Sequence, residues 1–153
     1  MKPSLPPAQL DAWRAFISSY WRVTARIDAE LAAKKLPTLA WYDVLYTLFR
    51  SPDRRLRMSE LAGHVLLSRS GLTRLVDKLE KEGLLTRCAC PSDGRAIHAQ
   101  LSANGVDALR KMWPTYREGI ARHFTTQLTD KELSTLAALL GRLSVGAGTA
   151  EQS

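Results

Sequence analysis

The sequence is poor in cysteine and has no long apolar run. Only two of its 153 residues are cysteines, Cys88 and Cys90, in C-x-C spacing. This spacing is neither a disulfide framework nor a C-x-x-C metal or redox pair, so we interpret both as structural or incidental residues, with a redox role left open. No apolar run approaches the ~20 residues of a membrane span, and Met1–Pro7 lacks a signal peptide's apolar stretch. We therefore expect a cytoplasmic protein without a membrane partner.

Motifs of catalysis are missing as well. The sequence contains no G-x-S-x-G, no H-E-x-x-H and no glycine-rich phosphate loop. Its three histidines, His64, His98 and His123, fall on separate predicted elements and lack the Cys, Asp or Glu spacing of a metal site. We predict no catalytic residue, no metal ion and no cofactor. An enzyme is the less favoured alternative for this chain.

Positive charge is present in excess. Lys and Arg number 22 against 15 Asp and Glu, which gives a net charge of +7. The segment from Arg50 to His98 holds ten basic and six acidic residues, so the excess is concentrated in the middle of the chain. A polyanionic partner such as DNA is the favoured interpretation, and a basic surface that serves solubility is the alternative.

Hydrophobic periodicity predicts helices in the first half of the chain. A long first helix has an apolar stripe with 3-4 spacing from Leu10 to Leu31. The predicted caps of the next three helices are Thr38, Ser59 (with Glu60 near the positive helix end) and Ser68, and Gly83 ends the fourth helix. Arg54–Arg57 is interpreted as a short basic connection. A short helix, a tight turn and a second helix together predict a helix-turn-helix.

A hairpin and two further helices follow. The extended segments 84–90 and 95–101 flank Pro91-Ser92-Asp93-Gly94, which has strong turn chemistry. Ser102 is the predicted cap of a fifth helix, which Pro114 should kink, and Thr129 with Glu132 forms a capping box before the sixth. The outer helices carry more apolar stripe than one chain of this length buries. We therefore expect a homodimer.

The predicted fold class is mainly α with a small β-hairpin wing. It is a winged helix-turn-helix with long N- and C-terminal dimerisation helices. We assign residues 1–37 and 102–146 to the dimerisation helices, residues 38–101 to the DNA-binding lobe, and residues 147–153 to a disordered tail.

The outer face of the fourth helix is the candidate DNA-recognition surface. At ~100° per residue, Ser70, Thr73, Arg74, Asp77 and Lys81 lie opposite the apolar face of that helix. Small hydroxyls followed by Arg suit entry into a major groove, and an arginine at a hairpin tip suits the minor groove. An ordinary solvated face is the alternative. The predicted DNA-binding residues are Arg57, Ser68, Ser70, Thr73, Arg74, Lys78, Lys81, Asp93 and Arg95.

Leu56–Gly105 resembles the core of the MarR family of transcriptional regulators. The matching pieces are S-E-L-A, T-R-L-V-D-K-L-E-K-E-G-L-L, the wing D-G-R and L-S-x-x-G, although Gly94 departs from the more usual D-R-R of the wing. The resemblance implies a homodimer that binds pseudo-palindromic promoter DNA, usually as a repressor, and often releases it on binding a small aromatic or anionic effector. Such a protein acts at the nucleoid. A winged helix that binds only protein is a second alternative, which the basic outer face disfavours.

The resemblance also places an effector crevice beside the first two helices. Aromatic residues cluster there, and an aromatic stripe is more often core than ligand site. We predict that Trp13 and Trp41 pack on the ring of a planar anionic effector and that Arg14 meets its charge. The predicted effector residues are Trp13, Arg14, Tyr20, Trp41 and Tyr42.

Overall fold

Apolar residues spaced three and four apart produce six α-helices in the computed structural model, which describes residues 5–65, 67–90 and 93–147. The side chains of Cys90, Asp93, Arg95 and residues 144–147 lie outside this description. The helices are α1 Pro7–Ala33, α2 Leu39–Arg50, α3 Met58–His64, α4 Arg69–Lys81, α5 Ala103–His123 and α6 Asp130–Ala147. Short 3-10 turns occupy Pro52–Arg54 and Thr125–Gln127. The strands are β1 Arg55–Arg57, β2 Leu85–Cys90 and β3 Asp93–Leu101.

The three strands form one antiparallel sheet in the order β1-β3-β2. The predicted hairpin of β2 and β3 is confirmed, although Pro91 and Ser92 of its turn lie outside the described residues. The interpretation of Arg54–Arg57 as a connection is wrong for its last three residues. Residues 55–57 pair with residues 100–98 as the edge strand β1. A strand of three residues is too short to show the alternation that marks a strand in a sequence.

Most predicted helix boundaries are confirmed by their hydrogen bonds. Ser68 Oγ accepts the Gly71 N–H at 3.1 Å, and Ser102 Oγ accepts the Gly105 N–H at 3.0 Å. The Thr129 N–H donates to Glu132 Oε2 at 2.8 Å, and the Glu132 N–H donates to Thr129 Oγ1 at 3.3 Å, which completes the predicted capping box. Gly83 has φ +71°, as expected for the residue that ends α4 in the left-handed conformation.

Two predicted caps need correction. Thr38 stands at the N-cap position of α2, but its side chain makes no capping hydrogen bond. Asp28 Oδ1 instead satisfies another amide of the first turn, the Leu39 N–H, at 2.7 Å. Ser59 is not the cap of α3, since that helix starts at Met58 and Arg57 is its N-cap residue. The Arg57 N–H donates to Glu60 Oε2 at 2.9 Å, which confirms the expected place of Glu60 near the helix start.

The chain divides into two units. The central unit is residues 27–116, and the outer unit is residues 1–26 with residues 117–153. Both boundaries between these units fall inside helices, α1 and α5. The predicted boundaries at 37/38 and 101/102 separate segments by function, dimerisation or DNA binding, and they stay predictions. The predicted tail lies outside the described residues from residue 148 onward, and Ala147 is the last residue of α6.

The central unit holds the hydrophobic core. Its fully buried side chains come from the end of α1, from α2 to α5 and from the sheet, and they include Leu31, Val44, Leu45, Leu48, Leu61, Leu72, Val76, Leu79, Leu85, Ala99 and Met112. None of the hydrophobic side chains described in the outer unit is buried to this degree. Among the described helices, none is both long and apolar enough to cross a membrane.

Candidate nucleic-acid interface

The recognition surface is built on α4, which is anchored by its apolar face. Leu72, Leu75, Val76 and Leu79 are buried against the rest of the central unit. Leu61 and Val65 of the preceding segment are buried as well, so α3 and α4 share one core. Burial of one face of each helix leaves the opposite face of α4 in solvent. The predicted helix-turn-helix is therefore confirmed.

The outer face of α4 is polar and basic. Ser70, Thr73, Arg74, Lys78 and Lys81 are all exposed, as predicted. The Ser68 hydroxyl accepts the N–H of Gly71. The other backbone N–H groups in the first turn of α4 lie at the positive end of the helix dipole. A capped helix N-terminus followed by basic side chains presents hydrogen-bond donors and positive charge to a polyanion.

Arg87 on β2 bonds to this helix and was missed by sequence reasoning. Its Nη2 donates to Asp77 Oδ1 at 2.6 Å, and its Nη1 donates to Glu80 Oε2 at 2.8 Å. The Arg87 backbone N–H donates to the other oxygen of Glu80 at 2.8 Å. This backbone bond is the main reason that the pKa of Glu80 lies below its usual value. No signal in the six-residue strand L-T-R-C-A-C singles out its arginine.

Arg87 contacts one edge of the outer face of α4. Its Nη2 also lies 3.5 Å from the Thr73 carbonyl oxygen, so the guanidinium spans Thr73, Asp77 and Glu80. The Thr73 hydroxyl is itself engaged, because it donates to the Arg69 carbonyl at 3.0 Å. At ~100° per residue, Arg74 lies about 60° from Asp77 on the helical wheel, whereas Ser70 and Lys81 lie within about 40° of it.

A groove lies between the start of α3, the start of α4 and the hairpin. It has a volume of about 530 Å³. Its lining brings two predicted residues, Arg57 and Thr73, together with Arg87. The other lining residues are Met58, Ser59, Ala96 and Ile97.

For the predicted wing residues, the structure describes the backbone but not the side chains. Asp93 and Arg95 belong to β3, and Asp93 is the register partner of Cys90 at the end of the hairpin. Their side chains lie outside the described residues, so their contacts with DNA stay a prediction. Gly94, expected inside the turn, lies in β3.

The predicted effector residues fall in both units. In the outer unit Trp13 is 60% exposed, and its ring centroid lies 6.2 Å from that of Phe16. Arg14 pairs with Asp11 at 3.8 Å, and both side chains are well exposed. Tyr20 is also exposed. Their role in effector binding stays a prediction.

Tyr42 of the central unit lies in a cluster of rings. Its centroid is 4.8 Å from Tyr116, 5.6 Å from Tyr46 and 6.5 Å from Trp113. Burial, with smaller contributions from Tyr46 and Tyr116, raises the pKa of Tyr42 to about 12. The phenol is therefore neutral at physiological pH. Trp41 beside it is partly exposed.

Among the described residues, no group of three or more His, Cys, Asp or Glu side chains is placed to hold a metal ion. Cys88 is a free thiol, and its register partner on the neighbouring strand β3 is His98. The Cys90 side chain lies outside the description.

Comparison with known proteins identifies relatives of this chain. Residues 37–96 match the family model described as MarR family. One solved structure is Sco3205, a MarR family transcriptional regulator from Streptomyces coelicolor, in complex with DNA. Its sequence is 30% identical to this chain, and the match covers 98% of this chain and 94% of the Sco3205 chain, with a TM-score of 0.87.

Two curated relatives match over shorter stretches. The transcriptional regulator YkoM of Bacillus subtilis is 32% identical over 67% of this chain, and the match spans 63% of YkoM, just under two thirds of its length. The transcriptional repressor MprA of Escherichia coli is 36% identical over 46% of this chain and 40% of its own.

Proposed function

Because the chain belongs to the MarR family of transcriptional regulators, we propose that it is a sequence-specific DNA-binding regulator that acts as a homodimer on pseudo-palindromic promoter DNA. The observation that carries this proposal is the exposed basic face of α4, which starts at the Ser68 cap and lies beside a β-hairpin. Sco3205 was crystallised with DNA, which supports the same partner for this chain. Such a regulator acts at the nucleoid in the cytoplasm and has no catalytic role.

The homodimer is supported by the apolar surface of the outer unit. Trp13 and Trp21 on α1 are 60% and 66% exposed, and Leu139 and Leu143 on α6 are 51% and 64% exposed. Exposed apolar surface at this density marks an association site. A second copy of the same helices buries it in a two-fold arrangement. Two recognition helices then meet half-sites about 10 base pairs apart.

Repression and effector response complete the proposal. MprA is named a repressor, and its 36% identity covers 70 residues of this chain. For the effector we propose a planar, anionic aromatic molecule, with Trp13, Arg14 and Tyr20 of the outer unit as its candidate contacts. The aromatic character of these residues and the exposed Arg14 support this ligand class.

The DNA-binding proposal is tested by salt titration of two variants on a duplex that the protein selects from a random pool and on a scrambled duplex. Arg74→Ala should cost about 1–3 kcal/mol per half-site on the selected duplex and less on the scrambled one, because a base contact is lost. Arg95→Ala should weaken both alike and lower the salt slope by about two for the dimer.

Each variant has its own contradicting result. If Arg95→Ala binds as tightly as wild type at every salt concentration, the wing does not contact DNA. If Arg74→Ala loses affinity equally on both duplexes, that residue holds a phosphate, and Ser70 and Thr73 become the base-contact candidates. A wild-type protein that binds no duplex contradicts the proposed function itself.

The homodimer is tested by sedimentation velocity. We expect a dimer at micromolar concentration. Replacing Leu139 and Leu143 together by Glu should give a monomer, because two charges would enter the apolar interface. A monomeric wild type contradicts both the dimer and the two-fold DNA site.

A further inference from the structure

Arg87 joins the hairpin to the recognition helix through several hydrogen bonds at once. Its guanidinium donates to Asp77 and Glu80, and its backbone N–H donates to Glu80. Only 22% of the Arg87 side chain is exposed, whereas the side chain of Asp77 is 59% exposed. The two acids lie one turn apart on α4, and Arg87 lies in the middle of β2. We call this set of contacts the Arg87 clamp.

The clamp differs from an ordinary surface ion pair in geometry. A guanidinium has a planar fork of donors, which fixes its orientation when two carboxylates accept from it. Glu80 adds a bond to the backbone of β2, so the strand itself is tied to the helix and not only its side chain. The side-chain bonds from Asp77 and Glu80 stabilise the charged form of Arg87 and raise its pKa against the opposing effect of burial.

The clamp lies between the two elements that contact DNA in the proposed function. β2 leads directly into the hairpin turn, and α4 carries Ser70, Arg74 and Lys81. Beyond the residues of β3 that pair with β1, the hairpin has two strands, and two strands alone are marginally stable unless they pack against a helix. Fixing β2 against α4 therefore fixes the wing relative to the recognition helix.

We propose that Arg87 is a positioning residue for DNA binding, which holds the wing and the recognition helix in the one arrangement that contacts both grooves together. This inference rests on the proposed function. In this proposal Arg87 promotes DNA binding through its bonds to Glu80 and Asp77 and not through a phosphate contact of its own. Arg87 also keeps the Asp77 carboxylate paired on a face of α4 that approaches phosphates.

The decisive experiment compares Glu80→Ala with Glu82→Ala. Both changes remove one negative charge near the end of α4, and the exposed Glu82 takes no part in the clamp. Electrostatics alone predicts slightly tighter DNA binding for both variants, because repulsion of phosphates decreases. The clamp predicts the opposite sign for Glu80→Ala, a loss of about tenfold on the selected duplex, with Glu82→Ala equal to or tighter than wild type.

Replacement of Arg87 itself adds a second comparison. Arg87→Ala should weaken binding to the selected duplex about tenfold, and Arg87→Lys should recover less than half of the lost binding free energy because an ammonium lacks the fork. Arg110→Ala is the matched control. Arg110 also pairs with an acid, Asp107 at 3.2 Å, but its side chain is 77% exposed on α5. Arg110→Ala should leave the affinity for the selected duplex unchanged.

Affinity is measured by fluorescence anisotropy, and wing order by hydrogen exchange of residues 86–100. Faster exchange of this segment in Glu80→Ala and Arg87→Ala, with unchanged exchange in α6, supports the clamp. Full activity of Arg87→Lys, or tighter binding by Glu80→Ala, overturns it. If wild type binds neither duplex, the proposed function fails, while the exchange data still decide whether the clamp orders the wing.

Discussion

Replacement of Gly105 even by alanine should lower the stability of the protein. Gly105 is buried in the first turn of α5, where Ser102 Oγ accepts its N–H and donates to the Gly83 carbonyl. A methyl group added at Gly105 would overlap the Leu84 carbonyl oxygen and approach Leu101 Cδ1 to 2.5 Å. Leu84 O is not free to move, because it accepts the Ser102 N–H at 3.1 Å. Relief therefore requires a shift of α5 away from the turn that follows α4.

The cost follows from two opposing effects. Overpacking in a rigid site costs about 1–3 kcal/mol or more, whereas Gly to Ala inside a helix gains up to about 1 kcal/mol. We expect a net loss of about 2 kcal/mol for Gly105→Ala. At roughly 2–4 °C per kcal/mol for a chain of this size, the Tm falls by about 4–8 °C.

Gly63→Ala is the matched control, because the same methyl group at this helical position of α3 meets no atom within 4 Å. It should raise the Tm by a few degrees through the helix preference of alanine, about 0.5–1 kcal/mol. The assay is thermal unfolding followed by circular dichroism at one fixed protein concentration. If Gly105→Ala melts at or above the wild-type Tm, the close approach of α5 to Leu84 does not exist.

Two further predictions concern the core and acid stability. Leu45→Ala should lower the free energy of unfolding by about 2–5 kcal/mol in urea titrations, because Leu45 is fully buried, whereas Ile97→Ala at a 53% exposed site should stay within about 0.5 kcal/mol of wild type. The lowered pKa of Glu80 means that its ionised form stabilises the fold above the unfolded-state pKa and that this stabilisation is lost as the pH falls through the folded-state pKa. The stability difference between wild type and Glu80→Gln should therefore shrink as the pH falls below the unfolded-state pKa of a glutamate, and a constant difference contradicts the Arg87–Glu80 bonds.

The features that sequence predicted correctly are local ones. A serine cap, a capping box and a left-handed glycine depend on residues within one helical turn, as at Ser68, Thr129 with Glu132, and Gly83. The outer face of α4 follows in the same way, because 3.6-residue periodicity orients every side chain once the buried positions are known. The exposure of Arg74 and Lys81 was therefore predictable before any tertiary contact was known.

The features that sequence missed depend on contacts between distant residues. Strand β1 exists because residues 55–57 pair with residues more than forty positions later. Arg87 bonds to Asp77 and Glu80 only because β2 lies beside α4. The cap of α2 is of the same kind, since Asp28 accepts the Leu39 N–H across the loop after α1. Residue type and local spacing carry none of this information.

The apolar helices of the outer unit show why a correct periodicity still leaves burial undetermined. The stripe from Leu10 to Leu31 was predicted as one seam, yet only its last two members, Ile27 and Leu31, are buried, and both belong to the central unit. The earlier residues of the stripe lack a core within the described chain that buries them fully. In the proposed homodimer a second copy supplies that core, so the free energy that stabilises the outer unit is association free energy and depends on protein concentration. DNA binding as a two-fold complex then depends on the same concentration, because the spacing of the two recognition helices exists only where the outer helices of two chains are joined.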